Sequence, residues 1–372
     1  MNQLIKNHVK NIRGWKTKRK LVIFCVDDYG NVRIDSPGSR QILSDSAIEF
    51  KNRYDTYDSM ETRADLEALY EVLGSVKDKH GNPALFTAYT LPCNIDFEAM
   101  AADDYTSYRY ELLPRTFEKL GLKYPDKYAG AWTLWQEGIE NRMLKPQFHG
   151  REHFNLYIFD DLLKDRNKNL ITVLQNNSYV TIPEHSSYNM GWTSSYAFNR
   201  IEETLDFLDN IRKGLQAFSD IFGFQSDSFT PPAQQFPLHL EEKLSDFGIE
   251  YMDRPRKFNR HMGNGKYQVQ SYKTGLDDKI TNIVRNVVFE PTVPIHADWA
   301  AYTFKQVEAA FFWNKPAIIS SHRVNFCGHL DEANREAGLK SLKKLLQKIV
   351  HRWPDIEFIS ADELGNIIAG EK

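Results

Sequence analysis

The chain has 372 residues, of which 41% are hydrophobic and 13% aromatic, and its formal net charge at pH 7 is −3. This balance offers no overall positive field of the kind that binds nucleic-acid phosphates, so nucleic acid is excluded as the expected partner. No apolar run approaches the roughly 18 residues needed to cross a bilayer, so no transmembrane segment is expected.

Residues 1–20 carry seven lysines and arginines and no acidic residue, which predicts a basic, solvated N-terminal arm. Contact of this arm with an anionic surface or glycan remains an alternative. The arm lacks the apolar centre of a secretion signal, and the three cysteines include no close pair. Both features favour a cytoplasmic setting.

The first predicted strand is the apolar run 21–26, which ends abruptly in Asp27-Asp28-Tyr29-Gly30. A helical pattern over 61–79 and an apolar run over 84–89 follow, and this strand, helix, strand order favours a parallel sheet. The later predicted strands are 145–148, one ending at 229, 247–251, 283–289, 317–322 and 356–360; the later helices begin at 156 and cover 201–221, 299–313 and 339–349. Together they predict one α/β barrel over residues 21–372.

Residues 93–145, between the second and third predicted strands, form a long segment dense in aromatic and acidic residues. Connections of this length in a compact fold are usually functional or form an inserted subdomain. We therefore expect an insertion near the site that acts as a lid or substrate wall. Its aromatic side chains either form a small core of their own or stack on sugar rings.

Two histidines four residues apart, His149 and His153, form half of a possible metal site. A helix that begins at or just after His149 would place both imidazoles on one face, within reach of a single ion. Further ligands are expected where other strands end, because the C-terminal ends of parallel strands converge on one face of such folds. The residues at predicted strand ends are Asp27 and Asp28, the two histidines, the loop Thr230-Pro231-Pro232, and His322.

These segments resemble the motifs of the polysaccharide deacetylases, carbohydrate esterases built on the NodB-like deformed (β/α) barrel. The segment 24–30 resembles the family's T-F-D-D-G motif, and His149-Gly150-Arg151-Glu152-His153 resembles its H-[ST]-x-x-H motif. Phe229-Thr230-Pro231-Pro232 resembles the R-P-P loop, and Asp298-Trp299 resembles the D-W pair. The strand 318–322 is similar to the late strand that ends in a catalytic histidine.

The resemblance implies a role for each of these residues. The residues that would bind a divalent metal ion, usually zinc, are Asp28, His149 and His153. Asp27 would be the general base and His322 the general acid. Asp298 would hold and tune His322. The residues that would contact a saccharide or polysaccharide substrate are Thr230, Pro231, Pro232 and Arg151.

One departure concerns Thr230, which stands where the family has an arginine that orients the base. Arg151 and Arg323 are both candidates for that positive charge, and the sequence leaves the choice open.

The expected activity is metal-dependent removal of an acetyl group from a saccharide. Two alternatives stay open: a metal-dependent amidohydrolase acting on a non-sugar amide, and a carbohydrate-binding protein without turnover. The oligomeric state is not predicted, and no spacing gives His185, His239, His261 or His296 a role.

Overall fold

The computed structural model describes residues 3–183, 187–277 and 280–370. The strands are β1 Lys20–Tyr29, β2 Phe86–Thr90, β3 Cys93–Ile95, β4 Tyr110–Leu112, β5 Leu144–Phe148, β6 Ser228–Phe229, β7 Tyr251–Pro255, β8 Lys257–His261, β9 Tyr267–Ser271, β10 Gly275–Asp277, β11 Ile280–Arg285, β12 Val287–Val288, β13 Ala317–His322 and β14 Ile356–Phe358. The helices are α1 Gln3–Val9, α2 Pro37–Asp45, α3 Arg53–Tyr57, α4 Arg63–Gly74, α5 Phe97–Ala102, α6 Leu113–Lys123, α7 Pro125–Tyr128, α8 Ala131–Glu140, α9 Leu156–Lys164, α10 Lys168–Gln175, α11 Leu205–Phe222, α12 Leu238–Glu241, α13 Trp299–Phe312, α14 Glu332–Arg352 and α15 Ala361–Gly370.

The strands form a mostly parallel sheet of ten, in the order β10-β11-β7-β6-β5-β2-β1-β13-β12, with β14 also paired to β1. Every pairing in this sheet is parallel except that of β10 with β11. The α/β fold class predicted from the order of elements is therefore confirmed. Within the described residues, no helix combines the length and the apolar character needed to cross a membrane.

The segment 280–288 connects the two ends of the parallel sheet, because β11 pairs with β7 and β12 pairs with β13. Asn286 lies between these two strands. Its backbone N–H donates to the carbonyl O of Ile318 at 3.1 Å, and its side-chain oxygen accepts the N–H of Ile318 at 2.9 Å. Its Nδ2 donates to the carbonyl O of Pro316 at 2.9 Å. The sheet thus curves back on itself like a barrel, with an irregular joint at Asn286.

β1 is buried on both faces, and its alternate side chains enter two different cores. The even-numbered residues from Val22 to Val26 pack among the surrounding helices. The odd-numbered residues from Leu21 to Cys25 share a cluster with residues of β2, β7, β11, β13 and α15, which places them inside the barrel. Because strand side chains alternate, Asp27 continues this interior face.

The aromatic segment 93–145 contributes to the main core. Phe117 of α6 and Trp135 of α8 belong to the cluster that also contains the helix-facing side chains of β1. Trp135 packs edge-on against Tyr29, with 5.6 Å between ring centroids. α8 therefore serves as the helix that connects β2 to β5. The whole segment is described by the structure, and none of its residues lines the cavity defined below, so its role as a lid or substrate wall stays a prediction.

The N-terminal arm lies against the barrel. Trp15 N–H donates to the carbonyl O of Thr274 at 2.7 Å, and Thr17 N–H donates to that of Asn314 at 2.8 Å. Lys10 Nζ donates to Gln306 Oε1 of α13 at 2.8 Å. The arm is therefore docked on the barrel by these hydrogen bonds, while basic side chains such as Arg13, Lys16 and Lys18 stay exposed.

Glycines set two of the element boundaries, one as predicted and one not. The helix predicted over 201–221 is present as α11 after a short 3₁₀ turn, and it ends at Gly223 with φ of 74°. The strand predicted over 247–251 instead begins at Tyr251, because Gly248 has φ of 84° and forms a turn. Glycine takes this left-handed conformation without the cost of a Cβ contact.

Candidate active site

The end of β1 carries two consecutive carboxylates that face one cavity, although successive strand side chains normally point to opposite faces. The backbone irregularity that allows this lies at Asp28, whose φ is 75°. The pairing of β1 with β2 shifts register at the same place, between Val26 and Tyr29. A left-handed conformation at a non-glycine residue costs about 1–3 kcal/mol, and such strain is concentrated at functional sites.

Both histidines of the predicted metal site meet Asp28. His149 Nε2 lies 3.3 Å and His153 Nε2 lies 3.2 Å from Asp28 Oδ1, and one ligand atom from each of the three residues lies within 4.8 Å of the other two. The prediction of a shared helical face is wrong, because residues 149–155 form a loop and α9 begins at Leu156. The loop itself brings the two imidazoles together.

Gly150 makes this loop possible. Its φ is 110°, and a Cβ added to it would lie 3.2 Å from Pro232 Cγ and 3.2 Å from the Tyr196 hydroxyl. Both the backbone conformation and the lack of space favour glycine. This accounts for a glycine at the position where the H-[ST]-x-x-H motif has serine or threonine.

Two backbone carbonyls orient the imidazoles. His149 Nδ1 lies 2.8 Å from the carbonyl O of Thr230, and His153 Nδ1 lies 3.1 Å from that of Thr193. If each Nδ1–H donates to its carbonyl, each Nε2 presents a lone pair toward Asp28, as in metal-binding histidines. Three lone pairs facing one another repel unless a cation lies between them. The donor set therefore fits a divalent metal ion.

Arg285 of β11 holds Asp27 through two hydrogen bonds. Arg285 Nη2 donates to Asp27 Oδ1 at 2.6 Å, and Nη1 donates to Oδ2 at 2.7 Å, while Nε donates to Asp253 Oδ1 at 2.7 Å. All three side chains are at most 4% exposed. The positive charge absent at Thr230 is therefore supplied from another strand. The signal in the sequence was an arginine inside the apolar run 283–289.

The two arginines considered for this role pair elsewhere. Arg151 Nε donates to Glu152, and Arg323 Nη2 donates to Asp58 Oδ1 at 2.9 Å. Neither residue lines the cavity that contains Asp27 and His322. The proposal of Arg151 or Arg323 as the partner of the base is corrected to Arg285, because the register of β11 points its side chain into the barrel interior.

The partner of His322 is Glu290, which follows the predicted strand 283–289 directly. His322 Nδ1 lies 2.6 Å from Glu290 Oε1. Asp298, expected in this role, is instead an exposed residue that caps α13 by accepting the N–H of Ala301 at 2.9 Å, and it pairs with Lys344 at 2.6 Å. The assignment of Asp298 is thus corrected, since its carboxylate serves the start of a helix.

Glu290 is itself held by two donors, Arg53 Nη1 at 2.6 Å and Asn325 Nδ2 at 2.8 Å. Burial raises the pKa of Glu290, but the charges of His322 and Arg53 outweigh it and lower that pKa to about 2. Burial lowers the pKa of His322, and Glu290 outweighs it, so that pKa lies above its usual value. His322 Nε2 lies 3.7 Å from Asp27 Oδ2.

These groups surround a cavity of about 210 Å³, which we call the catalytic cavity for its candidate role. The residues that line it are Asp27, Asp28, Arg33, Asn52, Tyr54, His149, His153, Thr181, Thr193, Ala233, Gln234 and His322. Five residues of the predicted site thus meet at one place. Arg53 touches His322 with its Nη2 3.2 Å from Nδ1.

The Thr230-Pro231-Pro232 loop supports the cavity without lining it. Thr230 is fully buried, and its carbonyl orients His149. The two residues after the loop, Ala233 and Gln234, take left-handed φ values of 56° and 55° and line the cavity. Gln234 Nε2 lies 3.4 Å from Asp27 Oδ2. The residues that reach the cavity are therefore 233–234 and not the loop itself, because the chain turns after Pro232.

Comparison with known proteins gives similar solved structures but no similar sequences. No protein-family model and no curated protein matches the chain. A probable polysaccharide deacetylase from Pseudomonas aeruginosa PAO1 matches with 8% identity over 94% of this chain and 91% of that one, with a TM-score of 0.46. The Puue allantoinase matches with 12% identity over 95% and 91% and a TM-score of 0.42.

A 4-alpha-glucanotransferase from Thermococcus litoralis matches with 12% identity over 93% of this chain and 40% of that one, with a TM-score of 0.45. The family that the motifs resemble is thus among the solved structures similar to this chain. At these values the similarity assigns no activity, so the function is argued from the residues of the site.

Proposed function

We propose that this chain is a metal-dependent hydrolase that removes an acetyl group from a saccharide. The observation that carries the proposal is the grouping of three metal-ligand side chains, Asp28, His149 and His153, with Asp27 and His322 in one cavity. Hydrolysis of an acyl bond needs a polarised carbonyl, a base for the attacking water and an acid for the leaving group. The cavity contains side chains suited to each task.

Asp28, His149 and His153 would hold the metal ion. Two imidazoles and one carboxylate leave open coordination positions, as in catalytic zinc sites, and the same donors also suit iron(II). A metal bound there would supply a Lewis acid for the acyl oxygen and lower the pKa of a coordinated water to about 7. Zinc is the proposed ion.

Asp27 would take the proton from the attacking water. A carboxylate that accepts two parallel N–H bonds from an arginine keeps its orientation and its charge. Arg285 provides these bonds, and the remaining lone pairs of Asp27 stay available toward the cavity. The Asp253 carboxylate in turn fixes Arg285 from the other side.

His322 would donate a proton to the departing atom of the substrate. Its Nδ1 is engaged by Glu290, so Nε2 is the atom available to the cavity. The raised pKa keeps the imidazole protonated closer to neutral pH. In the proposed reaction water adds to the acyl carbon, Asp27 accepts a water proton and His322 protonates the leaving nitrogen or oxygen. The products are acetate and a free amine or alcohol.

The size and lining of the cavity support a small, hydroxylated substrate group. Its volume of about 210 Å³ is below the ~300–1,000 Å³ typical of drug-sized ligands. The amide of Gln234 and the hydroxyl of Thr181 offer hydrogen bonds of the kind that sugar hydroxyls accept and donate. The amide of Asn52 is already bonded to Asp55 and Thr181. We therefore favour a single acetylated sugar residue, free or at the end of a chain.

The two alternatives lose support for specific reasons. The non-sugar amidohydrolase was favoured by the arginine missing at Thr230, and Arg285 now supplies that charge. A binding protein without turnover has no need of Asp27 held by Arg285 or of His322 held by Glu290. Metal-dependent hydrolysis of an acetylated saccharide therefore remains the preferred function.

The test is an acetate-release assay with the zinc-reconstituted full chain. The panel contains N- and O-acetylated mono- and oligosaccharides and, as the rival class, N-acetylated amino acids and cyclic ureides. We expect release from at least one sugar and none from the same sugar with the Asp27→Asn variant. Turnover only of the non-sugar amides would replace the proposal with the rival. Less than about half an equivalent of bound metal after reconstitution would remove the metal centre itself.

A further inference from the structure

A second cavity, which we call the arm cavity, lies between the N-terminal arm and the base of the β8–β9 hairpin. Its volume is about 630 Å³, and its walls are residues 9–13 and 271–274. Residues 284–286 and 315–316 also line it. This volume lies within the ~300–1,000 Å³ of pockets that hold small molecules.

The lining of the arm cavity is strongly basic. Its uncompensated cations are Lys10, Arg13, Arg256, Lys273 and Lys315. No aspartate or glutamate is among the described residues that line it. The chain as a whole carries a net charge of −3, so this concentration of positive charge is a local feature and not a property of the overall composition.

The cations are not neutralised by carboxylates. Arg13, Arg256 and Lys273 are exposed and form no ion pair with any residue that the structure describes. Lys10 donates to the neutral amide of Gln306 at 2.8 Å. Like charges gathered without a counter-charge repel one another, and a bound anion would relieve that repulsion.

Lys315 provides a buried donor at the floor of the cavity. Lys315 is 4% exposed. Its Nζ donates to the carbonyl O of Gly14 and to the carbonyl O of Trp15, the latter at 2.8 Å. An ammonium group has three N–H donors. None of the described residues accepts a hydrogen bond from the third N–H of Lys315. Burial, with a smaller contribution from Lys16, lowers the pKa of Lys315 to about 8.

Lys10, in the wall formed by the arm, shows the same effect. Burial, and then the charge of Arg256, lowers its pKa to about 8. Hydrogen bonds hold this wall in place: Asn286 Nδ2 donates to Asn11 Oδ1 at 2.8 Å, and Trp15 N–H donates to the carbonyl O of Thr274 at 2.7 Å. The cationic groups are therefore presented by walls that are fixed relative to each other.

We propose that the arm cavity binds a small molecule that carries a phosphate group, with Arg13 and Lys10 on one side and Arg256 and Lys273 on the other. Arginine and lysine together suit a phosphate, which offers several acceptor oxygens and about two negative charges. The volume exceeds that of a phosphate alone and leaves space for an organic part. The two cavities share no lining residue, but Arg285 lines the arm cavity and holds Asp27 of the catalytic cavity. The proposal does not depend on the proposed hydrolase activity.

The probe is inorganic pyrophosphate, titrated by calorimetry into the zinc-reconstituted full chain at constant ionic strength, with sodium chloride as the blank. The test variant is Arg256→Gln/Lys273→Gln. The matched control is Lys257→Gln/Lys266→Gln, which removes two exposed cations from the same hairpin but none from the cavity lining. Thermal unfolding of both variants verifies that each is folded.

We expect the test variant to bind pyrophosphate about tenfold or more weakly than the unmodified chain, and the control to bind within about twofold of it. Equal weakening in both variants would mean a general charge effect and would overturn the proposal. Unchanged binding in the test variant would place the anion elsewhere, for instance at the metal centre, and would also overturn it. So would the absence of binding up to about 10 mM pyrophosphate.

Discussion

Removing Arg285 tests the structural basis of the proposed base. In the variant Arg285→Met, Asp253 loses its only cationic partner among the described residues, and Asp27 loses both arginine bonds and keeps only His322, at 3.7 Å. These carboxylates are 2% and 0% exposed in their side chains, so water cannot replace the lost hydrogen bonds without rearrangement. The change keeps an unbranched, mostly aliphatic stem and removes the guanidinium group with its charge.

The expected loss of stability follows from this burial. Removing one partner of a buried ion pair typically costs about 3–5 kcal/mol. For a chain of 372 residues, an unfolding entropy of ~2.1 cal/mol/K per residue gives about 0.8 kcal/mol/K, so Tm should fall by about 4–6 °C. The deficit should shrink as the pH falls, because burial raises the pKa of Asp253 and Arg285 no longer opposes that effect, so the carboxyl takes up a proton and loses its charge more readily.

Turnover should fall further than stability alone explains. Asp27 would lose the two bonds that orient it, and misplacement of a reacting group by about 1 Å costs about 100-fold in rate. The assays are scanning calorimetry, metal analysis and acetate release at a temperature below both unfolding transitions. Metal content should stay unchanged, because Arg285 does not contact the three metal-ligand side chains in the described hydrogen bonds and ion pairs.

Arg254→Met is the matched control. Arg254 is 1% exposed and pairs with Glu241 at 3.0 and 3.1 Å, but it does not line the catalytic cavity. We expect it to lose stability and keep its turnover. If Arg285→Met keeps both its Tm within about 1 °C and its rate, or if both variants lose activity alike, the assignment of Arg285 to Asp27 is refuted.

Three further outcomes test the site. His149→Ala and His153→Ala should each lose the metal ion, which metal analysis detects, and retention of a full equivalent in both would contradict the ligand assignment. Asp27→Asn should retain the metal and lose acetate release; full activity would show that another group is the base. Glu290→Gln removes the charge that raises the pKa of His322, so His322 should lose its proton at lower pH. The alkaline limb of the pH–rate profile should therefore move to lower pH. An unmoved limb would mean that His322 is not the acid, or that Glu290 does not tune it.

Local patterns in the sequence predict much of the fold. The apolar run that forms β1, the helical periodicity of α11 and α13, and the late strand β13 are each visible within a short window. The strand-end rule also selects Asp27, Asp28, His149, His153 and His322, which the structure brings to one cavity. It would have selected Glu290 as well, since this residue follows the predicted strand 283–289.

The pairings within the site depend on tertiary structure. Arg151, Arg285 and Arg323 are all buried arginines, and nothing in a local window tells which of them reaches Asp27. The choice follows from the register of β11 and from the side of the strand on which its side chain lies. Likewise, Asp298 and Glu290 are both acidic residues near a strand or helix boundary, and only the packing shows that one caps α13 while the other holds His322.

The sequence itself determined which residue types could bind a metal and transfer protons, because carboxylates and imidazoles at strand ends have that chemistry wherever they meet. Their geometry was decided by the folded chain. The left-handed backbone at Asp28 turns a second carboxylate into the cavity, and the loop at Gly150 brings two histidines together without a helix. These are consequences of contacts between segments far apart in sequence, which alternation and periodicity along one segment do not encode.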